Sequence, residues 1–157
     1  MLMKSWRTAL AALGAILSLG AGAQAEDIDP LDVLGVWYTE GQGAQVEIVE
    51  DGDSVKGTII WFDGHEDGAT LDVKNPDPEL RDQPILGLAM LSGFERGRKK
   101  WRRGRIYDPE SGKSYRSAIF REGPESVAMQ GCIGILCVKQ KLTKVPEGSV
   151  IRVLAVD

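Results

Sequence analysis

The sequence predicts an all-β fold, an eight-stranded up-and-down antiparallel barrel entered through a short N-terminal helical turn. Three observations point there. Apolar residues alternate with period two along short segments, turn-forming residues separate one segment from the next, and the length suits a single domain.

The N-terminus is set apart from the rest. Lys4 and Arg7 precede an apolar run from Ala9 to Leu19 and the small-residue close Ala23-Gln24-Ala25, the form of a secretory signal peptide cut after Ala25. The run is shorter than the roughly 20 apolar residues that cross a bilayer. Glu26, and not a cysteine, follows the cut, which argues against a lipid anchor. The expected organisation is therefore a signal peptide over 1–25, a barrel domain over 26–145 and a tail over 146–157, in a protein that is periplasmic or secreted. The remaining 132 residues make one domain, large enough to bury about 65% of the extended chain's surface. Losing Lys4 and Arg7 leaves 17 basic against 23 acidic side chains and a formal charge of −6, which argues against a general nucleic-acid binder.

Along the domain, Pro30 stands where a first helical position would be and Gly35 where a helix would stop, so one or two helical turns precede the first strand. Gly35 to Thr39 is that strand. Val46 and Ile48 alternate with Gln45 and Glu47, and Val55, Gly57, Ile59 and Trp61 alternate with Lys56, Thr58, Ile60 and Phe62. Ile85 to Leu91 is an apolar run, and Arg105–Tyr107, Ser114–Arg121, Ser126–Ile133 and Cys137–Val145 complete the set. Asp51-Gly52-Asp53 signals a hairpin, and Asp108-Pro109 through Gly112 presets a type I turn. Closure is the simplest way to satisfy eight sequential strands, since it pairs both edges and gives the inner faces one core.

The blocks Gly35-Val-Trp37, Gly57-Thr-Ile59-Ile-Trp61, Asn75-Pro-Asp77-Pro78-Glu-Leu80-Arg81, Pro84-Ile-Leu-Gly87-Leu88, Ile106-Tyr107-Asp108-Pro109 and Gly131-Cys132 to Cys137 follow in an order that resembles the secreted bacterial family known as domain of unknown function 2147. The resemblance covers about 35 to 145. It implies a lipocalin-like (calycin-like) barrel closed at one end, and it implies no reaction. It also implies that the first-strand tryptophan, Trp37, is covered by a cation from the last strand. Leu142 and Lys144 stand where such relatives carry a Trp and an Arg, so Trp37 with Lys144 is the expected structural pair.

Cys132 and Cys137 are the only cysteines. On a straight strand they would stand about 16 Å apart, too far to bridge, so a disulfide demands a tight turn near Gly134. An oxidising compartment favours that pairing over a catalytic or metal-binding pair. Asp63, His65 and Asp67 fit part of a calcium-loop template with Gly68 at the bend, but Lys74 stands where the bidentate Glu must be, so the segment reads as an acidic turn and no metal is expected. Arg96, Arg98, Lys99, Lys100, Arg102, Arg103 and Arg105 crowd around Trp101. They read as a solvated loop leading into a strand, or else as a contact for an anionic membrane surface or an acidic partner.

In NPDPELRDQP, Asn75 or Asp77, followed by Pro76 or Pro78, gives a cap and a fixed first position for a single helical turn such as Pro78 to Arg81, and Arg81 either braces the loop or anchors an anion at the barrel mouth. No nucleophile or acid-base set is recognisable, so an enzyme is not expected, and no cofactor is implied. The favoured function is binding of a small, partly apolar ligand inside the barrel, with Trp61, Arg81, Met90, Tyr107 and Tyr115 as lining or anchoring residues and with Gly57 and Gly87 leaving space. The alternative is an envelope interaction protein with a filled barrel and the Arg96 to Arg105 patch as its contact. The oligomeric state is left open.

Overall fold

The computed structural model describes residues 27–63 and 70–153. The expected signal peptide, and His65 with Asp67, lie outside the described residues. The strands are β1 (Gly35–Tyr38), β2 (Ala44–Asp51), β3 (Ser54–Phe62), β4 (Ala89–Ser92), β5 (Glu95–Arg96), β6 (Trp101–Asp108), β7 (Lys113–Gly123), β8 (Ser126–Ile133) and β9 (Leu136–Lys144). They pair antiparallel in the order β4-β3-β2-β1-β9-β8-β7-β6-β5, and β4 also pairs with β6 through Leu91↔Ile106 and Ser92↔Arg105. That last pairing closes the sheet. β4 and β5 flank the break at Gly93-Phe94 and both lie on β6, so they form one interrupted stave and the barrel has eight.

Three expectations about elements change. The N-terminal segment is one hydrogen-bonded turn, Asp32 N–H to Asp29 O at 3.1 Å, and not a helix. The Ile85–Leu91 run is strand only from Ala89, because Leu88 N–H closes a turn onto Ile85 O at 3.1 Å and Gly87 takes φ +86. The strand expected at Arg105 begins at Trp101, so part of the basic segment is sheet and not loop.

One end of the barrel is shut. Trp37 is fully buried and its Nε1–H donates to Val33 O at 2.9 Å, while the Trp101 Nε1–H donates to Leu31 O at 2.9 Å. Both indoles thus hold the segment before β1 over that end. The core beneath is Val46, Ile48, Val55, Leu91, Phe94, Ile119, Val127 and Leu142, each removing a large apolar side chain from water, worth about 1.5 to 3 kcal/mol apiece. Gly57 belongs to this packing. A Cβ there would lie 2.7 Å from Leu91 Cδ1, so the glycine admits a neighbouring side chain and leaves no space for a ligand. Gly87 is exposed and serves its turn, so it opens no space either.

The cation over Trp37 is Arg121 of β7, 4.8 Å from the ring centroid. Lys144 sits opposite Trp37 in the β1–β9 register, but its side chain is exposed. The structural pair is therefore Trp37–Arg121 and not Trp37–Lys144. Arg121 has the reach and the planar fork for it: Nε donates to Gly123 O at 2.7 Å, one Nη to Asp32 O at 3.1 Å and the other to Pro124 O. One guanidinium thereby joins the N-terminal segment, β7 and the β7–β8 turn.

Candidate functional site

The other end is open. A cavity of about 1020 Å³ enters the barrel there, and its wall is apolar: Ile59, Phe62, Met90, Ile106, Tyr115 and Met129 line it. Met90 and Tyr115 are where the sequence placed them. Trp61, Tyr107 and Arg81 are not among the lining residues.

Trp61 is displaced by a β-bulge. Val46 pairs with Ile59 and Gln45 with Trp61, so Ile60 is the extra residue and the alternation of β3 reverses beyond it. Phe62 then faces the cavity in place of Trp61. Trp61 shares the outer face with Gln45, whose amide donates to Ser149 O and accepts from Ile151 N–H, both at 2.9 Å.

Tyr107 points away from the interior because its neighbour Ile106 points in. Its hydroxyl donates to Asp72, 2.7 Å from Oδ1 and 2.9 Å from Oδ2. Asp72 is fully buried, and its Oδ2 also accepts from Asn75 Nδ2 at 2.7 Å and from Gln83 Nε2 at 3.4 Å. Burial first, then Asp72, pushes the Tyr107 phenol up to about 12. The Asn-Pro-Asp-Pro block hangs from this carboxylate. Asn75 Oδ1 accepts from Asp77 N–H at 2.9 Å, and Asp77 Oδ1 caps the Pro78–Leu80 turn through Glu79 N–H at 3.0 Å, so of the two candidate caps Asp77 is the one used. The exposed Arg81 donates its Nε–H to Asn75 O at 2.8 Å. It braces its own loop, and no ion pair forms with Asp77 or Asp82.

Cys132 and Cys137 are bonded and stand directly opposite each other in the β8–β9 register. Gly134, at φ +59, makes the tight turn between them. The tip they pin is apolar and bare: Ile133, Ile135, Leu136 and Val138 are 70%, 98%, 74% and 68% exposed, and all but Ile135 line the cavity mouth. Deeper in, alternation along β7 puts Ser117 on the interior face between Tyr115 and Ile119. Its hydroxyl is buried and has no hydrogen-bond partner among the described residues.

The basic segment lies at the shut end. Arg96 stacks 5.4 Å from the Trp101 ring centroid and Arg103 pairs with Glu95 at 2.9 Å, both partners more than half exposed. A shallower cleft of about 500 Å³ adjoins it, bordered by Asp29, Asp32, Glu50 and Asp53. Among the described residues no His, Cys, Asp and Glu side chains gather as metal ligands would.

A family model described as an uncharacterized protein conserved in bacteria, domain of unknown function 2147, matches residues 35–144. The chain belongs to this family. Within the DUF2147 barrel the match begins at the first strand and stops at the end of the last, leaving the N-terminal turn and the tail outside it. In fold, this DUF2147 protein is similar to HP1028 from Helicobacter pylori, a protein described as belonging to the lipocalin family. The TM-score is 0.65 at 19% identity, covering 75% of this chain and 86% of that one. No curated protein matches the chain.

Asp72, Arg121, Phe62 and Met129 are the residues that sequence reading missed. Met129 carried a signal, since it falls in the alternation of Ser126–Ile133 on the inward phase. Asp72 carried none, because a lone acid in a loop is normally solvated.

Proposed function

We propose that this DUF2147 protein is an exported binding protein that encloses a small, partly apolar ligand in the open half of its barrel. The observation that carries the reading is the cavity: about 1020 Å³, apolar along its wall and open at one end, in a barrel whose other end is shut. An eight-stranded barrel has room for one small ligand where side chains do not fill it, and pockets of this size bury most of such a ligand. Export is supported by the leader-like first 25 residues and by a disulfide, which an oxidising compartment favours.

The test uses Nile red, a neutral apolar dye. Wild-type protein should bind it saturably at one site. Met90→Trp, which puts an indole where a half-buried lining thioether stands, should weaken binding at least about tenfold with the melting temperature nearly kept. Glu125→Gln, at the shut end, should bind as wild type does. Absence of saturable binding, or undiminished binding to a folded Met90→Trp, overturns the reading.

A further inference from the structure

Four carboxylates stand around the mouth of the cavity: Glu40 after β1, Asp63 after β3, and Asp108 and Glu110 in the β6–β7 turn. No Lys or Arg is among the described lining residues. The acids come from three separate connections, so they form a dispersed rim above an apolar wall and not one acidic cluster. None of the four enters an ion pair among the described residues. Asp108 is occupied by its own turn, accepting from Glu110 N–H at 3.0 Å and Ser111 Oγ at 2.6 Å, which holds its charge in place at the rim. Two lysines approach the same end. Lys74 donates its Nζ–H to the backbone carbonyl of Glu110 at 2.5 Å, and Lys113 stands opposite Asp108 in register with its side chain exposed. Neither lines the cavity, so among the described residues acids outnumber cations at the rim.

Beneath the rim the wall is apolar, lined by Ile59, Phe62, Met90, Ile106, Tyr115 and Met129 around a space of about 1020 Å³.

We propose that the ligand is a cationic amphiphile, an apolar chain carrying an amine or quaternary ammonium head. This rests on the cavity reading above. The chain fills the apolar wall and the head sits among the rim carboxylates. A low-dielectric wall concentrates the field of charges at its mouth, and the same charges reject an anionic head, so the rim discriminates in both directions.

The experiment is displacement of Nile red by three chains of equal length, dodecylamine, dodecanol and dodecanoate, each below its micelle concentration. Dodecylamine should displace the dye at about a tenfold lower concentration than dodecanol, and dodecanoate should be the weakest of the three. Raising salt should narrow the spread. In Glu40→Gln/Glu110→Gln, whose two exposed side chains make no hydrogen bond or ion pair among the described residues, amine and alcohol should become equal while the alcohol itself is unchanged. Glu50→Gln/Asp53→Asn removes the same charge at the shut end and should leave the preference intact. If dodecanol matches dodecylamine in wild type, or dodecanoate binds best, the cationic head is refuted and the apolar cavity reading stands. If Nile red does not bind at all, both fall.

Discussion

At the scale of single residues, the barrel is organised by polar atoms buried against apolar surroundings. Asp72 is fully buried, and among the described residues no cation pairs with it; three hydrogen-bonding side chains, Tyr107, Asn75 and Gln83, meet its carboxylate instead. That arrangement suits a carboxylate in low dielectric, where every unmade bond is costly. Its consequence is testable through Tyr107. The folded protein holds the phenolic proton up to about pH 12, whereas an unfolded tyrosine releases it near pH ~10. The stabilisation is thus whole below about pH 10 and is lost as pH rises toward 12. Tyr107→Phe should cost about 1.5 to 3 kcal/mol at neutral pH, the worth of a hydrogen bond to a charged group. In urea melts from pH 9 to 12 the variant should show a shallower decline than wild type; parallel curves would refute the assignment. Arg121 works in the same way at the shut end. Its flat fork reaches three carbonyls while its face covers Trp37, a combination that an ammonium cannot reproduce.

At the scale of elements, two local devices decide which side chains meet the cavity. The bulge at Ile60 reverses the phase of β3, and the hairpin β8–β9 carries its apolar tip out to the mouth. A tip so exposed has little packing to hold it, so the Cys132–Cys137 bond supplies what contacts do not. For so short a loop the chain-entropy model gives about 2 kcal/mol. Cys132→Ser/Cys137→Ser should lose about that much in denaturant melts while keeping the barrel's far-ultraviolet spectrum. Hydrogen exchange should accelerate in 130–139 and stay unchanged in β6 and β7. Uniform acceleration across the barrel would show that the bond holds the whole fold and not the tip.

At the scale of the whole molecule, the two ends are built for different work. Indoles, an arginine and the N-terminal turn shut one, while the other is left apolar inside and acidic at its edge. The cations nearest Trp101 belong to the shut end, while Arg105 stands farther along β6 beside Ile106. The tail is part of the assembly too. Its described residues add no strand; Ser149, Ile151 and Val153 bond across the outside of β2 and β3 to Gln45 and to Ile60 O, and Arg152 reaches Glu47. Ending the chain at Val145 should therefore cost about 1 to 3 kcal/mol, most of it through Gln45. Combined with Gln45→Ala the losses should be less than additive in a double-mutant cycle; strict additivity would show that the tail does not act through that amide.

Alternation and turn residues were enough to read eight strands, their order and closure, because period-two burial and hairpin chemistry are local properties. The Cys132–Cys137 bond, the cap at Asp77 as one of two candidates, and the cavity positions of Met90 and Tyr115 were legible for the same reason. Trp61 was misplaced because one inserted residue, Ile60, flips every side chain after it, and a bulge is set by the partner strand and leaves no mark in its own. Lys144 was misplaced because the cation over Trp37 comes from three strands away around the barrel, on β7. The sequence by itself determined the staves and the turns. Only tertiary structure decided which end is shut, that Asp72 is buried, and that four acids from separate connections line the opening, because each depends on residues distant in the chain meeting at one end of a closed sheet.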